Sequence, residues 1–232
     1  MTQLPRHIPL GPPPAPPRGP EPGGLVALLA RRRSSRAFAS RPLGLAQLAV
    51  LAWAAQGRTG DAAATESRTE GGTRRTCPSA HQTYPLTLTV LAGGDGVEGL
   101  AAGAYDYTPE QHALCPKRGG DHRERVAATT LADYDWLRHA PVLLLLSGDM
   151  EGATRHFAEQ PPKGRRGSRY VWLEAGHASQ NVYLQAAELG LGAVLVAGFD
   201  DYRLTALTPR VVPAARHPLA LLALGHPATP GL

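Results

Sequence analysis

The stretch RYVWLEAGHASQNVYLQAAELGLGAVLVAGFDD, residues 169–201, decides the architecture. Val171, Ala175, Ala178, Val182, Ala186 and Leu189 recur at steps of four, three, four, four and three. That spacing predicts one continuous apolar stripe on a helix from Arg169 to Leu189. Gly190 is placed to cap it. GAVLVAGF (192–199) then reads as a buried strand, and DDYRLTALT (200–208) as a short helix. Glu174, His177 and Asn181 line one edge of the long helix, a pattern suited to a helix–helix hydrogen bond. The pair Glu174 and His177 is not the metal-binding HExxH arrangement. GLG lacks the rest of a dinucleotide fingerprint. Neither a Walker loop nor a GxSxG elbow occurs anywhere in the chain.

Working outward, LTLTVLA (86–92) alternates and is rich in β-formers, which predicts a strand. LAAGAYDYT (100–108) and HALCP (112–116) read as a hairpin about the turn TPEQ, and a short helix is expected over 121–131. PVLLLLS (141–147) reads as a central strand and PLALLALG (218–225) as the last one. Upstream, helices are expected from Leu25 to the arginines and from Leu45 to Gln56, the second stopped by Gly57. Residues 58–76 read as a mobile polar loop. Residues 1–24 form a Pro-rich arm, with nine prolines in the first 22 positions. The remainder, 25–232, is one α+β domain whose sheet is antiparallel or mixed and flanked by helices.

The 232 residues suffice for one well-buried domain. The net charge is +5, yet 22 of the 24 basic residues are arginine. The skew toward Arg, Ala, Pro, Gly and Leu is that of a GC-rich genome. The arginines are scattered and have no aromatic stripe beside them, so a nucleic-acid partner is not expected. Cys77 and Cys115 cannot build a disulfide framework and show no metal spacing, which suits a reducing cytoplasm. No apolar run is long enough to span a membrane.

Two segments could carry chemistry. In LLARRRSSRAF (28–38), Arg32, Arg33, Ser34 and Arg36 fall within five residues. Such a cluster is either a solvated helix end, where positive charge suits the dipole, or a site for a dianion that guanidinium forks would grip. In TCPSAHQTYPLTLTV (76–90), Pro78, Ser79 and Ala80 form a turn with a free hydroxyl and free backbone N–H groups ahead of a strand. His81 beside it is either a surface histidine or a proton-transfer group.

Taken in series, RRSSRAF, PSAHQTYPLTLTVL, RYVWLEAGHASQNVYLQAAELGLGAVLVAGFDD and LALLALGHP resemble the FMN-dependent nitroreductase superfamily, and more closely its SagB-type dehydrogenase branch. The resemblance spans roughly 25–228. It implies the nitroreductase fold in an obligate homodimer with the long helix at the interface, a role that would suit an apolar helix hard to bury in so small a domain. It implies FMN as cofactor, with NAD(P)H or a peptide azoline as hydride donor and ping-pong behaviour. Arg32, Arg33, Ser34 and Arg36 would meet the FMN phosphate, ribityl chain and pyrimidine edge. Pro78, Ser79 and Ala80 would approach the flavin from the other subunit, and Gly198 would lie near its N5 edge. The Lys-Tyr pair usual in SagB-type relatives falls on Pro162 and Lys163. His81 stands where relatives carry glycine, and the C-terminal segment offers only His226 as a phosphate contact. No catalytic residue stands out; His81 and Lys163 are the candidates. A non-catalytic FMN-binding scaffold in a peptide-modifying complex is the alternative reading.

Overall fold

A computed structural model describes residues 7–12, 24–59, 74–132 and 134–228. Seven strands form one sheet in the order β1-β4-β3-β2-β5-β7-β6. They are β1 (Ile8–Pro9), β2 (Leu86–Ala92), β3 (Gly103–Thr108), β4 (Ala113–Gly119), β5 (Val142–Gly148), β6 (Gly192–Val196) and β7 (His217–Gly225). Every neighbouring pair is antiparallel. The helices are α1 (Gly24–Arg31), α2 (Leu45–Gln56), α3 (Arg123–Ala127), α4 (Met150–His156), α5 (Arg166–Glu188) and α6 (Asp201–Leu207).

The central strand explains the layering. All seven residues of β5 are buried. Val142, Leu144 and Leu146 join the core beneath α2 and α5, while Leu143 and Leu145 join the core shared with α3 and α6. A strand covered on both faces needs no polar alternation, which is why VLLLL is continuous.

The 23 residues of α5 make a rod about 34 Å long at ~1.5 Å per residue. Its stripe of Val171, Ala175, Ala178, Val182 and Ala186 is buried against the sheet within the chain. The helix expected to be hard to bury fully thus buries this stripe, because its small side chains let it close directly on the β-layer. What stays exposed is the opposite face, Trp172 and Leu173, with Leu25, Val26 and Leu29 of α1. Gly190 caps α5 with φ +68°, and the Leu191 N–H returns to the Ala186 carbonyl at 2.8 Å. This is the Schellman closure that the glycine permits.

Some expectations change. The Pro-rich arm contributes β1, whose Ile8 and Pro9 pair with Leu114 and Ala113, and Leu10 is buried. The rest of the arm outside 7–12, up to Gly23, lies outside the described residues, as do 60–73 of the expected mobile loop. The ends of that loop are laced together by Thr59 N–H to Arg74 O and Thr76 N–H to Gly57 O, both 2.9 Å. The helix expected over 121–131 is only α3, followed by a 3₁₀ turn at Asp135–His139. Helix α4 was not anticipated; Asp149 caps it, its side chain accepting the Gly152 N–H at 2.8 Å. Among the described residues, no helix is long and apolar enough to cross a membrane.

Helices α4 and α5 touch at Gly167, where an added Cβ would stand 2.2 Å from the Ala153 carbonyl oxygen. Backbone cannot yield as a side chain does. Gly167→Ala should therefore cost about 1–3 kcal/mol, read as a lower urea midpoint at unchanged slope; an unaltered midpoint would show that the helices separate freely.

Candidate active site

Tyr183 organises the arginine corner. Its hydroxyl accepts the Leu195 N–H at 2.7 Å and lies 3.3 Å from the Ser34 hydroxyl. The Arg32 guanidinium sits over its ring, 5.3 Å from the centroid. Ser34 bridges in parallel to Ala193 at the β6 edge, and the Ser35 N–H donates to the Ala193 carbonyl at 2.9 Å. Residues 37–39 pair in turn with the C-terminal segment, through Ala39 N–H to His226 O at 2.8 Å and Ala228 N–H to Ala37 O at 3.0 Å. His226 thus lies beside the corner, its imidazole pKa lowered by burial and by Arg41. Among the described residues, no carboxylate pairs with Arg31, Arg32, Arg33 or Arg36. The sheet edge therefore carries concentrated, uncompensated positive charge on a fixed backbone, which is what a bound dianion requires.

The second segment is strained. His81, Gln82 and Tyr84 have φ of 51°, 54° and 43°, left-handed values for residues that all carry a Cβ. Such backbone costs of order 1–3 kcal/mol per residue and persists only where its surroundings over-determine it. Here they do. The Ser79 hydroxyl accepts the Tyr84 N–H at 2.9 Å, and Thr83 Oγ1 donates to the Ala80 carbonyl at 3.0 Å. The Arg75 N–H donates to the Tyr84 hydroxyl at 3.2 Å, and its guanidinium stacks on that ring at 4.6 Å.

Beneath the turn lies a buried polar group of residues. Arg75 donates to Gln56 Oε1 at 3.1 Å and to Glu110 at 3.0 Å. Cys77 donates to the Glu174 carbonyl at 3.4 Å, and Asn181 Nδ2 to the Thr76 carbonyl at 3.1 Å. Glu174 and Asn181 thus hold the Thr76–Ser79 segment rather than another helix, while His177 faces solvent. Glu174 is 2% exposed, and its Oε1 makes no hydrogen bond. Burial pushes its carboxyl up to about 7, against the opposing pull of the Ser79 hydroxyl, the Arg75 guanidinium and the Gln56 amide.

Gly198 is half-buried at the end of β6, its carbonyl accepting the Leu131 N–H at 2.9 Å. A Cβ built there would meet nothing within 4 Å, so the glycine opens onto free space. Lys163 is exposed between α4 and α5 and paired with Glu159 at 2.7 Å. His81 is exposed and meets His156. Within one chain α5 moors the arginine corner at Tyr183 and the Thr76–Ser79 segment at Asn181 and Glu174.

Residues 29–226 fit the family model described as the nitroreductase family. A protein named as a nitroreductase from Methanocaldococcus jannaschii is 33% identical over 202 residues, covering 87% of this chain and 90% of its own. The chain belongs to the nitroreductase family. Its fold matches the crystal structure of a Ralstonia eutropha nitroreductase with a TM-score of 0.70 and 26% identity, over 99% of this chain and 93% of that one. It also matches a chain of the Escherichia coli microcin synthetase McbBCD complex with a TM-score of 0.66 and 22% identity, over 85% and 70% of the two chains. Nitroreductases are oxidoreductases that in general bind FMN and use NAD(P)H.

Tyr183 and Arg75 escaped sequence reasoning. Tyr183 sits one step off the apolar stripe, and Arg75 is one arginine among many; neither carries a local signal.

Because the pKa of Glu174 is raised from 4.5 to about 7, its contribution to stability is complete below pH 4.5 and is lost as pH rises through 7. Glu174→Gln cannot ionise. It should match the native chain near pH 4.5 and exceed its Tm by on the order of 5 °C at pH 8. A constant difference across that range would mean that the carboxyl titrates alike in both states.

Proposed function

We propose that this nitroreductase-family chain is an FMN-dependent two-electron oxidoreductase of the SagB type, working as a homodimer. The observation that carries the reading is the arginine corner: guanidinium groups without carboxylate partners, on backbone pinned to β6 and Tyr183. FMN ends in a phosphate dianion, and the fit is chemical. Arg32, Arg33 and Ser34 would hold the phosphate and ribityl chain, and Arg36 the pyrimidine edge, where positive charge favours the anionic reduced ring. The free space at Gly198 admits a flat ring against backbone. Pro78, Ser79 and Ala80 of a second copy would close the site. The exposed Leu25, Val26, Leu29, Trp172 and Leu173 supply an apolar surface for that pairing.

Bound FMN would supply a carrier that accepts and releases hydride, which no side chain can do. The protein's own share is to bind, orient and polarise. One open face beside Gly198 must serve donor and acceptor in turn, which predicts ping-pong kinetics. The substrates are NAD(P)H with an acceptor, or a peptide azoline; the fold likeness to the microcin synthetase chain supports the second. Pro162 and Lys163 stand in place of the Lys-Tyr pair, so Lys163 or His81 would handle any proton.

The purified protein should be yellow and should lose its flavin absorbance when reduced by NADH, NADPH or an azoline peptide. A colourless protein that FMN does not reconstitute removes the proposal, and flavin that none of these reduces supports a non-catalytic scaffold. Arg32→Ala should weaken FMN retention by about tenfold or more, as loss of a charged hydrogen bond does, with Arg210→Ala without effect. Val26→Asp with Trp172→Asp should give monomers by light scattering and release the flavin; flavin retained by monomers would place the whole site in one chain.

A further inference from the structure

The strained turn after Ala80 brings His81 against the last residue of α4. Nδ1 of His81 and Nε2 of His156 are 3.2 Å apart, from residues 75 positions distant in sequence. Both histidines are exposed, so a solute can reach them. Neither ring is loose. Each packs on Phe157, with ring centroids 4.9 Å away for His81 and 4.5 Å for His156. Phe157 is 1% exposed and is braced in turn by Tyr170 at 4.7 Å. A buried aromatic thus fixes two imidazoles that surface histidines would ordinarily leave to rotate.

The spacing has a chemical meaning. Two imidazole nitrogens at about 2.0–2.1 Å from one zinc ion, subtending about 90–109°, lie about 2.9–3.4 Å apart. The observed separation falls within that span. In the chain as it stands, one nitrogen donates its N–H to the other; a metal ion would take that place, the donor imidazole moving its proton to its other ring nitrogen. The nearest cations in sequence are already neutralised, Arg155 by Glu151 and Arg75 by Glu110. Imidazole suits zinc, copper and nickel, whereas magnesium and calcium demand oxygen.

We propose that His81 and His156 form a two-imidazole site for a borderline divalent transition metal such as Zn2+, with solvent completing its coordination. The site needs no flavin to form, although His81 adjoins the Pro78–Ala80 turn of the proposed redox site. Loading it ties the Ser79–Tyr84 turn to the end of α4 through a second, non-covalent strap. Two or more coordination positions remain open to an oxygen or nitrogen group of another molecule.

The test is calorimetric titration of ZnCl2 into the full, tag-free chain after chelator treatment. One Zn2+ per chain should bind in the micromolar range. His81→Asn and His156→Gln should each weaken binding by about tenfold or more, and His177→Asn should leave it unchanged. Asn accepts the left-handed backbone at 81, and Gln suits a helix end, so both variants retain the fold. Should either misfold, NMR of the native chain decides: the ring signals of His81 and His156 should move on addition of Zn2+ while other histidines stay. Absence of binding at millimolar Zn2+, binding that survives both substitutions, or movement confined to other rings such as His139 would overturn the proposal.

Discussion

The closure of α5 on the sheet is the contact on which everything else depends. Its buried stripe is built from valine and alanine, so the helix axis lies close to β6 and β7. Once that face is committed, the polar residues along the flank of the helix become fixed posts. Tyr183 reaches β6 and the arginine corner. Asn181 and Glu174 reach the Thr76–Ser79 segment. Both halves of the proposed flavin site are therefore positioned by α5, each half by the helix of its own copy, and the accuracy of each half is that of helix-on-sheet packing rather than of a loop.

The two halves differ in how they store energy. The arginine corner is exposed, rich in positive charge and, among the described residues, without carboxylate partners, so the proposed dianion would meet it uncompensated. The turn at Pro78–Tyr84 is held in unfavourable backbone geometry by the Ser79, Thr83, Arg75 and Tyr84 contacts. Below it, Glu174 is buried without full hydrogen-bond compensation, which burial answers by raising its pKa. A site that keeps unpaired cations at one end and a strained, half-satisfied polar cluster at the other is poorly explained by stability alone.

Much of the secondary structure was legible because local pattern and global burial agree. The stripe from Val171 to Ala186 reads as a helix and is one; VLLLL reads as a doubly covered strand and is one; Gly190 caps as its position requires. Legibility failed where signals were short or non-local. The five-residue α3 and seven-residue α4 are too brief to show periodicity, although Asp149 ahead of Gly152 is a cap signal. The two-residue β1 hides in proline-rich sequence, since Ile8 and Pro9 take their strand geometry from the edge of β4. Of the proposed site, Arg32, Ser34, Ser79, Ala80 and Gly198 enter through the family resemblance of their segments. Tyr183, Arg75 and the His81–His156 pair were not legible, because each acquires its partner only from a segment far along the chain.

From its sequence alone, the chain determined its class: an α+β fold with a long amphipathic helix, buried strands and a dense arginine cluster near the amino end. These follow from periodicity and charge, which act between near neighbours. Only the tertiary structure decided the all-antiparallel strand order, that the α5 stripe is consumed inside the chain, and that its outer face with α1 stays open. It alone decided which polar side chains meet, because contacts across 75 or 149 residues are set by how helix and sheet close on each other.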